Sequence, residues 1–285
     1  MRFTNTLAAF AASFSLAQAF TSGFNVAANN PDGSCLTTAQ YTTAFQKLQA
    51  LPQKIKTVRL YASSDCNQLA LAVPAAISTG TQILVGVWTE DEAHYTAEKA
   101  ALQSAIQAHG HSWIYAISVG SEDLYRGDTT ASTLAGQVYD VRGMVRQYGV
   151  TQPVGHVDTW TAWVNSTNSA VITAVDFLGM DGYPYFQYSS IGDAPSVFWT
   201  SVNNTKNVAQ GKPVWVTETG WPVSGSNFGA AVPSIGNARK YWREVFCKAT
   251  SEIDIFWYVY QDYSSNPSFG IFNSAGNAIY DLKSC

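Results

Sequence analysis

Residues 114–122 read IYAISVGSE, an apolar stretch that ends on a single carboxylate, Glu122. Its hydrophobic positions are consecutive rather than alternate. A strand with one wet face alternates, whereas a strand covered on both faces reads as one continuous run, as in parallel sheets. The same pattern returns in GFNVA (23–27), TVRLYA (57–62) and QILVGVW (82–88). It returns again in PVGHVDT (153–159), VDFLGM (175–180), PVWVTE (213–218) and IFWYVYQ (255–261).

Helical patterns lie between these runs. Residues 92–109 place Ala97, Leu102, Ala105 and Ile106 near one stripe, stopped by Gly110. Residues 131–148 do the same with Leu134, Val138, Val141 and Val145, stopped by Gly149. Glycine just past the last turn is the expected stop signal. A third helix, about 37–50, opens on Thr37 as N-cap. Eight strand-like runs alternating with helices predict an α/β fold, a single (β/α)8 TIM barrel. No low-complexity or Ser/Pro-rich linker interrupts the chain, so one catalytic-size domain over residues 20–285 is expected.

The first nineteen residues have the features of an export signal. Arg2 gives a basic start, Leu7 to Ala17 is apolar or small, and Ala17-Gln18-Ala19 is an A-x-A cleavage site. That run is too short for a mature membrane span. The chain ends on the polar NAIYDLKSC, without the hydrophobic tail removed during lipid-anchor attachment. A secreted monomer, extracellular or in the cell wall, is expected.

Net charge is −4 with only 13% charged residues and no basic run, which argues against nucleic acid and anionic membranes as partners. Aromatics make up 13% (9 Trp, 15 Tyr, 14 Phe), a surplus that suits a neutral ligand with C–H faces such as a sugar, although most rings fill cores. Cys35, Cys66, Cys247 and Cys285 allow three disulfide pairings; Cys35–Cys66 with Cys247–Cys285 is favoured because each closes a moderate loop. With no C-x-x-C, and with His94, His109, His111 and His156 scattered, neither a metal nor an organic cofactor is expected. Asn165 and Asn203 are glycosylation sequons.

In such a barrel the chemistry lies at the C-terminal ends of the strands. Glu122 follows the fourth run and Glu218 closes the seventh, so the two acids face each other across the mouth. A lone strand-end glutamate is more often a solvated acid. A facing pair with aromatic neighbours suits glycoside hydrolysis, where carboxyls ~5–5.5 Å apart give retention and ~6.5–9.5 Å give inversion. Tyr61, Trp88, Trp160, Tyr185 and Trp221 are candidate platforms for sugar C–H faces. Asp158 and Asp181, at the ends of strands five and six, are candidates to bind hydroxyls or orient the acid pair. Gly220 beside Glu218 permits close backbone approach.

VTETGWP (216–222) resembles the nucleophile motif of glycoside hydrolase family 17, the β-1,3-glucanases and related glucanosyltransferases. ISVGSEDLYR (117–126) resembles the acid/base segment of that family, and VGHVDTWTAWVN (154–165) and DGYPYFQ (181–187) resemble its fungal members. GFNVA, EAHYTAEKAAL and NPSFGIF (266–272) extend the likeness over most of the chain. The resemblance implies that Glu218 is the nucleophile and Glu122 the general acid/base of a retaining, endo-acting enzyme on β-1,3-glucan. It further implies that Tyr183 hydrogen-bonds Glu218. Ser121 stands where many relatives carry an asparagine that contacts the sugar 2-hydroxyl, and Gln261-Asp262 departs from the acidic pair of plant members. A glucanosyltransferase using the same intermediate is the alternative, and a non-catalytic wall-binding protein a more distant one.

Overall fold

The computed structural model describes residues 20–30, 32–262, 265–283 and 285. The expected export segment, residues 1–19, lies outside the described residues. Eight strands form one closed parallel barrel in sequence order. They are β1 (Ser22–Asn25), β2 (Thr57–Arg59), β3 (Gln82–Val87), β4 (Ile114–Ser121), β5 (Val154–Thr159), β6 (Leu178–Asp181), β7 (Val214–Thr219) and β8 (Ile255–Trp257). β8 pairs with β1 through Gly23 opposite Phe256, which closes the ring. The (β/α)8 barrel expected from the continuous apolar runs is the fold found.

The outer layer contains α1 (Thr38–Ala50), α2 (Gln68–Thr79), α3 (Glu92–His109), the short α4 (Asp123–Arg126) and α5 (Ala131–Arg146). It continues with α6 (Trp160–Trp163), α7 (Ser169–Ala174), α8 (Ala194–Val208) and α9 (Ile235–Tyr241), which runs through a π turn (Trp242–Phe246) into α10 (Cys247–Ala249). Thr37 caps α1 in a capping box with Gln40. Asp91 and Thr130 accept from backbone amides at the starts of α3 and α5, satisfying amides that have no intrahelical partner. No helix among the described residues is long and apolar enough to cross a membrane. Disulfides join Cys35 to Cys66 and Cys247 to Cys285, the favoured pairing.

The barrel interior is divided by polarity. Its lower half is an aromatic plug in which Phe177 stacks on Trp215 at 3.8 Å between ring centroids, beside Phe256, Leu84 and Ala116. Glycines make room for these rings. A Cβ on Gly23 would lie 2.4 Å from Phe256, and one on Gly155 would lie 2.6 Å from Phe177. The upper half is polar: Asn25, Arg59, Ser121, His156, Asp158, Asp181 and Thr217 are all buried there or at the strand ends. Buried polar groups survive only when paired, so this half carries a dense hydrogen-bond network. The apolar floor holds that network in place from below.

Candidate active site

The C-terminal ends of the strands open into a cleft of ≈ 500 Å³ that both Glu122 and Glu218 line. Glu218 sits near the end of β7 with its side chain 12% exposed. The buried Arg59 on β2 donates an Nη1 hydrogen bond to its Oε1, and the Tyr183 hydroxyl donates to its Oε2 at 2.6 Å. Arg59 is itself fixed by Asn25 Oδ1 and Ser121 Oγ, each at 3.0 Å, and its guanidinium lies 4.9 Å from the Tyr61 ring centroid. Burial disfavours the charged guanidinium, but the Glu218 and Asp181 carboxylates outweigh that and hold Arg59 above its ordinary value. Both carboxylate oxygens of Glu218 are therefore oriented before any ligand arrives.

Glu122 is placed differently. It caps α4 in the left-handed backbone region at φ 60°, and its amide donates to the Val157 carbonyl at 2.8 Å. Burial, then the negative charges of Glu218 and Asp158, push its carboxyl up to about 7, against the pull of Arg126 and Arg59. Near neutral pH one acid can thus hold a proton beside an ion-paired carboxylate. Asp181 faces Glu218 in the β6–β7 ladder. It accepts from Thr217 Oγ1 at 2.8 Å, and burial together with the Glu218 charge raises it well above the usual carboxylate range.

Aromatic rings line the same cleft. Trp160, Tyr183, Tyr258 and Phe269 make its walls, while Tyr125 and Phe186 stand at its rim, 62% and 47% exposed. Asp262 shapes one wall from behind by accepting from Ser268 Oγ and from the Phe269 amide.

Among the expected sugar contacts, Trp160, Asp181 and Tyr183 line the cleft. Ser121 is buried and engaged with Arg59. Tyr61 sits under the Arg59 guanidinium with its hydroxyl buried and unpaired. Trp88 donates to Glu90 and lies under Arg126, away from the cleft lining. Tyr185 and Trp221 are 2% and 1% exposed and packed edge to face on each other, so they stand behind the cleft wall rather than on it. Trp221 gives its ring N–H to Val232 and Tyr185 its hydroxyl to Ser226, which leaves neither polar handle free for a ligand. Asp158 is fully buried under the β4 and β5 loops and also lies outside the cleft surface. Asn165 and Asn203 are exposed.

Sequence reasoning passed over Arg59 and Asn25. A lone arginine inside the apolar run TVRLYA was the available signal, since an unpaired charge in a doubly covered strand is too costly to persist. Among the described residues His94 alone sits in an acidic cluster, its Nε2 meeting Asp65 at 2.9 Å and Glu98 at 3.5 Å. Glu98 is already satisfied by the amides of Ser63, Ser64 and Trp88, so hydrogen bonding accounts for this group.

Two carboxyl groups in unlike surroundings, lining one aromatic cleft at the mouth of a closed barrel, are the arrangement that glycosidic-bond chemistry uses. The chain belongs to the BtgE/BtgC glycoside hydrolase domain family, which matches residues 23–271. It is 42% identical to the probable glucan endo-1,3-beta-glucosidase of Aspergillus oryzae, over 99% of this chain and 67% of that relative. It is 38% identical to a glucan 1,3-beta-glucosidase of Saccharomyces cerevisiae, over 99% of this chain and 98% of that one. Among solved structures, an active-site mutant of the Rhizomucor miehei beta-1,3-glucanosyltransferase in complex with laminaritriose superimposes with a TM-score of 0.82. It is 29% identical, over 94% of this chain and 99% of the other.

Proposed function

We propose that this protein is a retaining, endo-acting β-1,3-glucanase of glycoside hydrolase family 17, exported to the cell wall or its surroundings. The observation that carries this reading is the division of labour between the two acids: Glu122 is pushed up to about 7, while both oxygens of Glu218 are held by Arg59 and Tyr183. Glu218 attacks the anomeric carbon as the glycosidic C–O bond breaks, and the Glu122 proton passes to the departing glucosyl oxygen. Ester formation removes the Glu218 charge, which is one cause of the raised Glu122 value. Glu122, now a carboxylate, takes a proton from water as that water's oxygen bonds the anomeric carbon and Glu218 leaves. The same carboxyl serves as acid and then base because its neighbour's charge is switched off between the steps.

The substrate, β-1,3-glucan, and the internal cleavage are supported by the names of the relatives. The two disulfides and the exposed sequons at Asn165 and Asn203 support an extracellular location with glycans at those positions. The chemistry needs no cofactor. Trp160, Asp181 and Tyr183, together with the unpaired Tyr61 hydroxyl, are the proposed sugar contacts.

Transfer to a second glucan chain in place of water is the second reading, favoured by the likeness to a glucanosyltransferase. Selection between water and sugar rests on acceptor contacts of a few kcal/mol. Products from a defined, end-labelled β-1,3-oligomer decide: hydrolysis gives only shorter species with the β-anomer first, transfer gives longer ones. Glu218→Gln should abolish both while still binding the oligomer. Full activity in that variant would remove Glu218 from the mechanism.

A further inference from the structure

His156 on β5 is fully buried, and its two ring nitrogens face different partners. Nδ1 lies 2.7 Å from the Val119 carbonyl oxygen, and Nε2 lies 3.0 Å from Asp158 Oδ2. A carbonyl can only accept, so Nδ1 carries a proton. Asp158 also accepts from the Leu124 amide at 3.0 Å and from the Thr159 amide at 2.8 Å. Asp158 thus takes three polar contacts, two from backbone N–H groups and one from Nε2, and a proton on Nε2 makes the third a charge-assisted hydrogen bond.

We propose that His156 is a positioning residue kept as an imidazolium, whose ion pair with Asp158 fixes the turn bearing Glu122 and neutralises the charge directly beneath that acid. The inference rests on Glu122 being the acid/base.

The connections are short. Leu124, two residues after Glu122, hangs from Asp158. The Glu122 amide itself bonds Val157, the residue between His156 and Asp158. On the other side Asp158 holds the Thr159 amide, and Thr159 lines the cleft and caps α6. One carboxylate thus sets the β4 loop, the β5 loop and the spacing between them. Burial opposes charge on the His156 ring, but the Asp158 hydrogen bond and charge, with help from Asp123, hold it above its ordinary value. Trp163 closes the far side, its ring edge-on at 5.5 Å. The charges facing Glu122 are Glu218, Asp158, Asp181, Arg126 and Arg59; those facing His156 are Asp158 and Asp123. If the imidazolium is removed, the Asp158 charge acts on Glu122 uncompensated, and Glu122 keeps its proton to higher pH.

Two measurements test this. In His156→Gln, which keeps a donor toward Asp158 without the charge, the alkaline limb of kcat/KM should move up by about half a pH unit. The variant would then retain about two to three times the wild-type fraction of plateau activity one unit above the wild-type limb. A limb that stays in place, whatever happens to kcat, overturns the proposal. Nitrogen NMR of histidine-labelled wild-type protein needs no variant to fold. One ring should stay doubly protonated from pH 5 to 8, and four rings that are neutral at pH 8 would overturn it. Failure of the acid/base assignment looks different, because Glu122→Gln would then keep wild-type activity.

Discussion

Arg59 reaches from β2 to Glu218 on β7 and bonds one carboxylate oxygen with a guanidinium that is only 1% exposed. The Glu218 carboxylate is therefore compensated from inside the barrel, by a side chain that Asn25 and Ser121 hold in place.

Removing that compensation leaves a buried carboxylate without its partner. Arg59→Met should lower unfolding stability by about 3–5 kcal/mol, measured by urea denaturation at pH 7. Arg59→Lys keeps the charge but cannot reach Glu218, Asn25 and Ser121 together, so its stability should fall between the two and its kcat/KM at least tenfold below wild type. A wild-type denaturation midpoint for Arg59→Met would show that the pair contributes nothing.

The pH dependence follows from Glu122. With its carboxyl pushed up to about 7, kcat/KM for an uncharged oligosaccharide should fall as pH rises through about 7, because the proton donor is lost. Glu122→Gln should remove that limb and cost about 10²–10⁴ in kcat. The stability effect has a definite sign. The folded state binds this proton more tightly than the unfolded state, so between the ordinary glutamate value of 4.5 and about 7 rising pH destabilises the fold. Urea midpoints at pH 4.5 and pH 7 should differ less in Glu122→Gln than in wild type.

Behind Glu218, Gly220 admits the backbone just past β8. A Cβ there would lie 2.5 Å from the Tyr258 carbonyl oxygen and 3.2 Å from Phe269, a ring of the cleft wall. Gly220→Ala should therefore push Tyr258 and Phe269 together, costing about 1–3 kcal/mol of stability. KM for glucan oligomers should rise, and an unchanged KM with unchanged melting would refute the close approach.

The disulfides bridge sequence separations of 31 and 38 residues. Loop-closure entropy assigns each about 3.5–4 kcal/mol. Replacing either pair by serines should lower the melting temperature without moving the pH profile, because neither lies in the cleft lining.

Much of this was legible in the chain itself. The run IYAISVGS is β4 to the residue, and the stripe that stops at Gly110 is α3 from Glu92 to His109. Elements that escaped lacked a one-sided pattern. α2 buries Leu69, Ala72, Val73, Ala75 and Ala76 around much of its circumference and carries Pro74 inside, so no stripe marks it. IFWYVYQ suggested a long last strand, but β8 ends at Trp257 because Tyr258 turns toward the cleft. At the site, Glu122 and Glu218 announced themselves as acids ending apolar runs. The aromatics did not separate so cleanly. Trp160 and Trp221 are equally plausible platforms in sequence, and only the path of the β7 loop seals Trp221 behind Val232 and Tyr185. Arg59 was hidden because its partners lie on other strands, far off in sequence, and His156 because the carbonyl that fixes its Nδ1, that of Val119, lies on β4.

The left-handed backbone at Glu122 has an evolutionary consequence. A non-glycine side chain in that region costs about 1–2 kcal/mol, and asparagine or glycine fits it better. Charge adds to the preference, since deprotonation at this buried position is also unfavourable. Turnover alone asks for glutamate here. Replacing Glu122 by asparagine or glycine would relieve both costs and leave the aromatic walls of the cleft in place.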